Sequence, residues 1–234
     1  MRKKVQDINE SLHTKFGDNL RLALIENGTI LDEAEIKSRA IFYLGEILSK
    51  NKTISDTQKE ITNIYNEIFT DLTIVTYLSC CAIDNSARII LRRILELGLA
   101  SVYLWDLPFK YWNWVKYDEH NNDLNFKEML DYLNDKGYID FVNMENGTDI
   151  QSLISKNSTN AVYRDLSNVI HGKSNTFESL DKTCFTYQKN DLIKMAKLTI
   201  LIENLLLSLW NARFPELFKK MEQEFKAITQ YTHE

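Results

Sequence analysis

The sequence predicts an all-α protein, a helical bundle built as a single domain. Three observations carry that expectation. Apolar residues recur at spacings of three and four over most of the 234 residues, turn-forming residues are scarce, and the few helix stops fall where helices should end. Seven Gly and two Pro are too few for the tight turns of a many-stranded sheet. Hydrophobic residues at 44% are enough for one substantial core over 1–234, with N-terminal helices at 1–50 and a core bundle at 55–214.

Val5, Ile8, Leu12, Phe16, Leu20 and Leu24 form one stripe and predict a first helix over 3–26, with Gly17 as the point where it can break. Residues 27–31 read as a turn. Ile36, Ala40, Tyr43, Leu44 and Ile47 then predict a second helix over 32–50, which Asp32 can cap. The period continues through Ile61, Ile64, Ile68, Leu72 and Val75, and again through Ile83, Ala87, Leu91 and Ile94, so two helices divided near 80–85 are expected. Trp105, Trp112 and Trp114 fall with Pro108 in 102–115 and read as a bulky corner against the core. A short helix over 126–133 is expected to end near Gly137. The polar stretch 134–159, with Gly147 and several Asn and Ser, reads as an irregular, mobile loop. Helical spacing returns over 161–171, with Gly172 as its C′ residue. After a loop at 173–190, Asn190 or Asp191 caps a last core helix over 192–214, and Pro215 supplies its stop.

A net charge of −5 gives no global attraction to nucleic acid, so any contact with RNA must be local. Three cysteines without a C-x-x-C spacing, two of them adjacent at Cys80 and Cys81, fit buried thiols in a reducing, cytoplasmic setting. His13, His120 and His233 are far apart in sequence and show no ligand spacing, so neither a metal nor another cofactor is expected. Met1-Arg2-Lys3-Lys4-Val5 leads into polar residues rather than the apolar stretch of a secretory signal. The most apolar segment, 198–210, carries Glu203 and Asn204 and is too short to cross a bilayer, so no membrane partner is expected.

The stretch that carries chemistry is Tyr163-Arg164-Asp165-Leu166-Ser167-Asn168-Val169-Ile170-His171-Gly172. Arg164 and His171 are seven residues apart, nearly two helical turns, and so share a face. Ser167 and Asn168 fall between them, while Leu166, Val169 and Ile170 are expected to point to the other side, leaving a polar stripe open to a groove. Such a pair suits cleavage of a phosphodiester by the neighbouring 2′-hydroxyl. Imidazole can move a proton near neutral pH, and a guanidinium fork can hold the charge that builds on the phosphorane oxygens.

The R-x6-H spacing, with a polar residue directly after the arginine and a last core helix still to come, resembles the R-x4-6-H motif of HEPN domains. The resemblance covers a short pattern within a helical frame. It implies a homodimer in which the motif helices of two subunits form a composite ribonuclease cleft. It also implies a toxin, abortive-infection or antiphage role, with an antitoxin or regulatory protein as a possible further partner. Carried onto this chain, Arg164 would hold the scissile phosphate, His171 would handle the proton, and Asp165 would orient the pair. Asp165 departs from the commoner asparagine, and its negative charge beside Arg164 works against phosphate binding.

Plainer roles stand beside these. His171 can be a residue that meets the last carbonyls of its helix, and Arg164 can form a surface ion pair with Asp165. Arg88, Arg92 and Glu96 align at i, i+4 and i+8 as a charged stripe, which is either a solvated face or, through Arg92 or Arg93 with Glu96 orienting it, a second grip on RNA phosphates. The tryptophans read as core rather than as platforms for unpaired bases. The rival to a ribonuclease is a catalytically inactive module of the same kind that binds a protein or nucleotide.

Overall fold

The two N-terminal stripes join into one long helix. In a computed structural model, which describes residues 2–117, 123–177 and 185–224, α1 runs Arg2–Ser49, and only Asn27 leaves helical geometry inside it (φ −134°, ψ 22°). The expected turn at 27–31 is therefore a one-residue kink, Asp32 lies inside the helix rather than capping it, and Gly17 does not break it. With no proline nearby to forbid continuation, the backbone bends only where Asn27 finds an external partner: its amide donates to the Tyr187 hydroxyl at 2.8 Å.

Ser55 and Gln58 form a reciprocal capping box that starts α2 (Asp56–Ile61), followed by α3 (Asn63–Cys80) and α4 (Asp84–Asp106). The division at 80–85 falls where the sequence places it, and Cys80 and Cys81 are buried free thiols. Pro108 opens α5 (Pro108–Lys116) at its first turn, where a missing N–H costs nothing. The expected corner packs only in part: Trp105 and Tyr111 are buried, whereas Trp112 is half exposed.

Helix α6 (Phe126–Leu133) begins where the Asn125 side chain accepts from two backbone N–H groups, and it stops at Asn134 rather than Gly137. The region 134–159 is not one irregular loop. Asp135 caps α7 (Lys136–Asn146), which buries only Tyr138 and Val142, so its polar composition hides a helix held by two anchors. The remaining connection is also tied down. The Asn143 side chain donates to the Ile150 carbonyl and accepts from the Ile150 N–H, at 2.9 and 2.8 Å, and Leu153 and Ile154 are buried.

Helix α8 (Lys156–Ile170) starts five residues earlier than its apolar spacing suggests, because Ser155 caps it. In α9 (Lys189–Arg213), Gln188 occupies the cap position and makes no side-chain cap bond, so Asn190 and Asp191 fall inside the first turn rather than at the cap. There Asp191 still complements the helix dipole. Pro215 opens α10 (Pro215–Glu224). Among the described residues there is no strand, and no helix is long and apolar enough to cross a membrane.

Helices α1, α3 and α9 pack on one another, α4 packs on α3 and α9, and α6 and α8 lie against α4. Gly98 sets the closest approach of α4 to α9: a Cβ there would come within 2.2 Å of a Leu206 methyl. Trp210 donates its indole N–H to Ser101 at 2.9 Å in the same layer. At the far end, Arg213 of α9 forks onto Asp106 of α4 at 2.7 and 2.8 Å, and Tyr138 of α7 donates to the same carboxylate at 2.5 Å. This buried pair joins three helix ends; Arg213 also meets Glu145 of α7 at 3.0 Å, so it is loss of the arginine that would strand the Asp106 charge. Gly98→Ala is expected to destabilise the protein by about 1–2 kcal/mol, overpacking against Leu206 outweighing the gain in helix propensity. Urea titration reads this, and Leu206→Ala should cost less in the Gly98→Ala background than in the wild type.

Glu203 of α9 is wholly buried. Its Oε1 accepts from Ser38 at 2.8 Å, and Oε2 has no partner among the described residues. Burial pushes this carboxyl well above its usual range, against the pull of the Ser38 hydrogen bond and the Lys37 charge. The folded chain thus keeps a proton that the unfolded chain releases, and stability present below pH 4.5 declines as pH rises toward the folded value. Glu203→Gln, which can still accept from Ser38, is expected to lose that slope and to melt higher than the wild type at pH 8, by about 2–4 °C per kcal/mol. Identical melting profiles from pH 4 to 9 would show that Glu203 carries no such linkage.

Candidate active site

The buried line Thr159, Val162, Leu166 and Val169, at spacings of three, four and three, turns one side of α8 against the core. Arg164 and His171 are both exposed. Seven residues of helix bring them to within about 20° of each other around the axis, opposite the buried line, and about 10 Å apart along it. Leu166 and Val169 point inward as expected, whereas Ile170 is 40% exposed at the edge of the stripe. Ser167 and Asn168 lie half-buried between the pair, and the Ser167 hydroxyl donates to the Tyr163 carbonyl of its own helix at 2.7 Å.

The helix stops immediately beyond the motif. Gly172 adopts a left-handed conformation (φ 58°), its N–H bonds to the Val169 carbonyl at 3.1 Å, and the Lys173 N–H bonds to the Asn168 carbonyl at 3.0 Å. This is a Schellman closure, which favours glycine at that place. His171 is therefore the last residue before the reversal, and its imidazole is not used to cap the helix.

Among the described residues, neither the Arg164 guanidinium nor the His171 imidazole makes a hydrogen bond or an ion pair; His120 and His233 lie outside those residues. Asp165 is turned away from both. Its carboxylate faces Arg88 of α4 at 3.4 Å, so neither the expected orienting role nor an ion pair with Arg164 is what the geometry contains.

The other sequence-predicted residues divide between two faces of α4. Arg92 donates to the Tyr163 hydroxyl at 2.6 Å, that hydroxyl donates to Glu96 at 3.0 Å, and Arg92 meets Glu96 directly at 3.1 Å. Arg92 also approaches the Tyr163 ring, 4.8 Å from its centroid, and Phe126 of α6 stacks on that ring at 3.5 Å. Arg93 does not reach this place. It pairs with Glu67, at 2.6 Å, and with Asp71 of α3, because one residue of helix rotates it about 100° from Arg92. Burial raises the Asp71 carboxyl while Arg93 opposes the rise.

Tyr163 and Phe126 are the site residues that sequence reasoning passed over. The signal for Tyr163 was the charged stripe on α4, which needs a neutralising partner from a neighbouring helix; no comparable pattern pointed to Phe126. Tyr163→Phe is expected to cost about 1–2 kcal/mol through the lost hydroxyl, and Tyr163→Ala about 3–5 kcal/mol because the ring goes too. Denaturant unfolding of the three proteins measures both steps, and a Phe variant as stable as the wild type would mean the hydroxyl holds nothing. The chain matches no protein-family model, no curated protein and no solved structure, so the activity of this face is read from its own chemistry.

Proposed function

We propose that this protein is a HEPN-type endoribonuclease that cuts RNA by attack of the 2′-hydroxyl, needs no metal for the step, and acts as a homodimer in a toxin or antiphage role. The observation that carries the reading is that Arg164 and His171 stand two turns apart on one exposed face with no partner among the described residues. His171 takes the 2′-hydroxyl proton as the O2′–P bond forms, and Arg164 holds the phosphorane oxygens. The P–O5′ bond then breaks, the departing oxygen takes a proton, and the products are a 2′,3′-cyclic phosphate and a 5′-hydroxyl. The stripe faces away from its own core, so a second copy of α8 would supply the opposite wall of a cleft and a second imidazole to protonate the leaving oxygen.

The rival reading, a silent module that binds a protein or nucleotide, draws on a different observation. Asp165 and Ser167 are engaged elsewhere, which leaves the pair without an orienting group among the described residues. Incubation of the purified protein with total RNA in EDTA separates the two. Cleavage to cyclic-phosphate ends is expected from the wild type, with a loss of about 100-fold or more in Arg164→Ala and His171→Ala. RNA left intact by a folded wild type would favour the silent module. Expression is expected to slow growth, and His171→Ala to relieve this at unchanged protein level.

A further inference from the structure

Three arginines of α4 were available to face or flank α8, and they are not equally committed. Arg93 is held by two carboxylates on α3, and Arg92 by Glu96, the Tyr163 hydroxyl and the Tyr163 ring. Arg88 has one contact among the described residues, with Asp165 at 3.4 Å, longer than the roughly 2.7–2.9 Å of a strong charge-assisted bond. Its side chain is 29% exposed and that of Asp165 is 56% exposed, so water screens the pair. The contacts also order the helices: Glu96 and Arg92 meet Tyr163, and Arg88, one turn earlier, meets Asp165, so α4 and α8 run antiparallel. Arg88 is thereby placed beside the residue that follows Arg164, on the side of the motif that leads to His171.

We infer that Arg88 is a second phosphate-binding cation flanking this face and that Asp165 is its internal counter-ion, displaced when an RNA phosphate arrives. The inference rests on the RNA-cleaving reading of the same face. A phosphate offers the guanidinium fork two oxygens, which the single contact to Asp165 does not. The carboxylate therefore acts as a weak competitor: it stabilises Arg88 in the empty protein and gives way to a better-matched anion.

The test is binding of a fluorescent 2′-O-methyl RNA oligonucleotide, which cannot be cut by 2′-hydroxyl attack, over a range of salt concentrations. Arg88→Gln is expected to weaken binding about tenfold and to reduce the slope of log affinity against log salt by about 0.7. Asp165→Asn is expected to tighten binding several-fold in the wild type and to have almost no effect in the Arg88→Gln background. Arg88→Lys should keep most of the slope while losing part of the affinity, and it serves in the cycle if Arg88→Gln does not fold. Tightening by Asp165→Asn that persists without Arg88, or an Arg88→Gln slope equal to the wild type's, overturns the inference.

Cleavage of unmodified RNA is read separately. A wild type that cuts RNA while Arg88→Gln binds unchanged leaves the ribonuclease reading standing and removes this one. The expected binding pattern without cutting keeps the anion site and removes the nuclease. A wild type that binds no oligonucleotide overturns this inference, and one that also leaves RNA uncut refutes both.

Discussion

The pose of α8 depends on how the charged line of α4 is neutralised. Ala87, Leu91, Ile94 and Leu95 commit most of α4 to the core, so Arg92 and Glu96 emerge at its edge with limited access to water. A charge held there needs partners, and the Tyr163 hydroxyl serves both at once, accepting from one and donating to the other. Phe126, itself buried, stacks on the tyrosine ring. With Tyr163 fixed against α4 and Leu166 buried, the intervening geometry leaves Arg164 no direction but outward. The outward stripe is thus a consequence of what is anchored beneath it.

The end of α8 is fixed with similar economy. The Schellman closure at Gly172 prevents the helix from continuing, and Asn85 in the first turn of α4 donates to the Thr176 carbonyl at 3.1 Å just beyond. His171 consequently stands between a rigid helix and a chain segment that has already turned back toward α4. An imidazole at this place has its backbone set on both sides while its ring makes no hydrogen bond to the described residues. That combination of a fixed base and a free ring suits a group that must meet something outside its own chain.

Much of the fold was legible in the sequence because burial in a helical protein repeats every three or four residues. The stripe from Ile61 to Val75 returns across α2 and α3, the stripe from Ile83 to Ile94 returns in α4, the short helix expected over 126–133 returns as α6, and the arginine–histidine face of α8 follows from seven-residue spacing alone. What was not legible depended on partners distant in sequence. The kink at Asn27 is set by Tyr187, 160 residues away, and α7 exists on two buried residues within a polar segment. Arg92 and Arg93 looked interchangeable in sequence, and only the positions of α3 and α8 assign one to each side. The role of Asp165 was misplaced for the same reason, since Arg88 lies 77 residues away.

Among the described residues, several exposed cations find acids one turn away in sequence. Arg39 meets Glu35, Lys50 meets Glu46, Lys136 meets Asp140 and Lys219 meets Glu216. Arg164 is denied that arrangement by its own sequence. Three and four residues to either side stand Asn160, Ala161, Ser167 and Asn168, none of which carries a charge. The one acid adjacent to it, Asp165, projects about 100° around the helix and is engaged by Arg88. The face therefore offers a fixed positive charge flanked by neutral amides and a hydroxyl, within a chain whose net charge is −5. Long-range attraction for a polyanion is weak in such a protein, so recognition has to come from short-range hydrogen bonds and local charge. A stripe with carboxylates removed from one line, rather than cations added everywhere, is the arrangement that permits this.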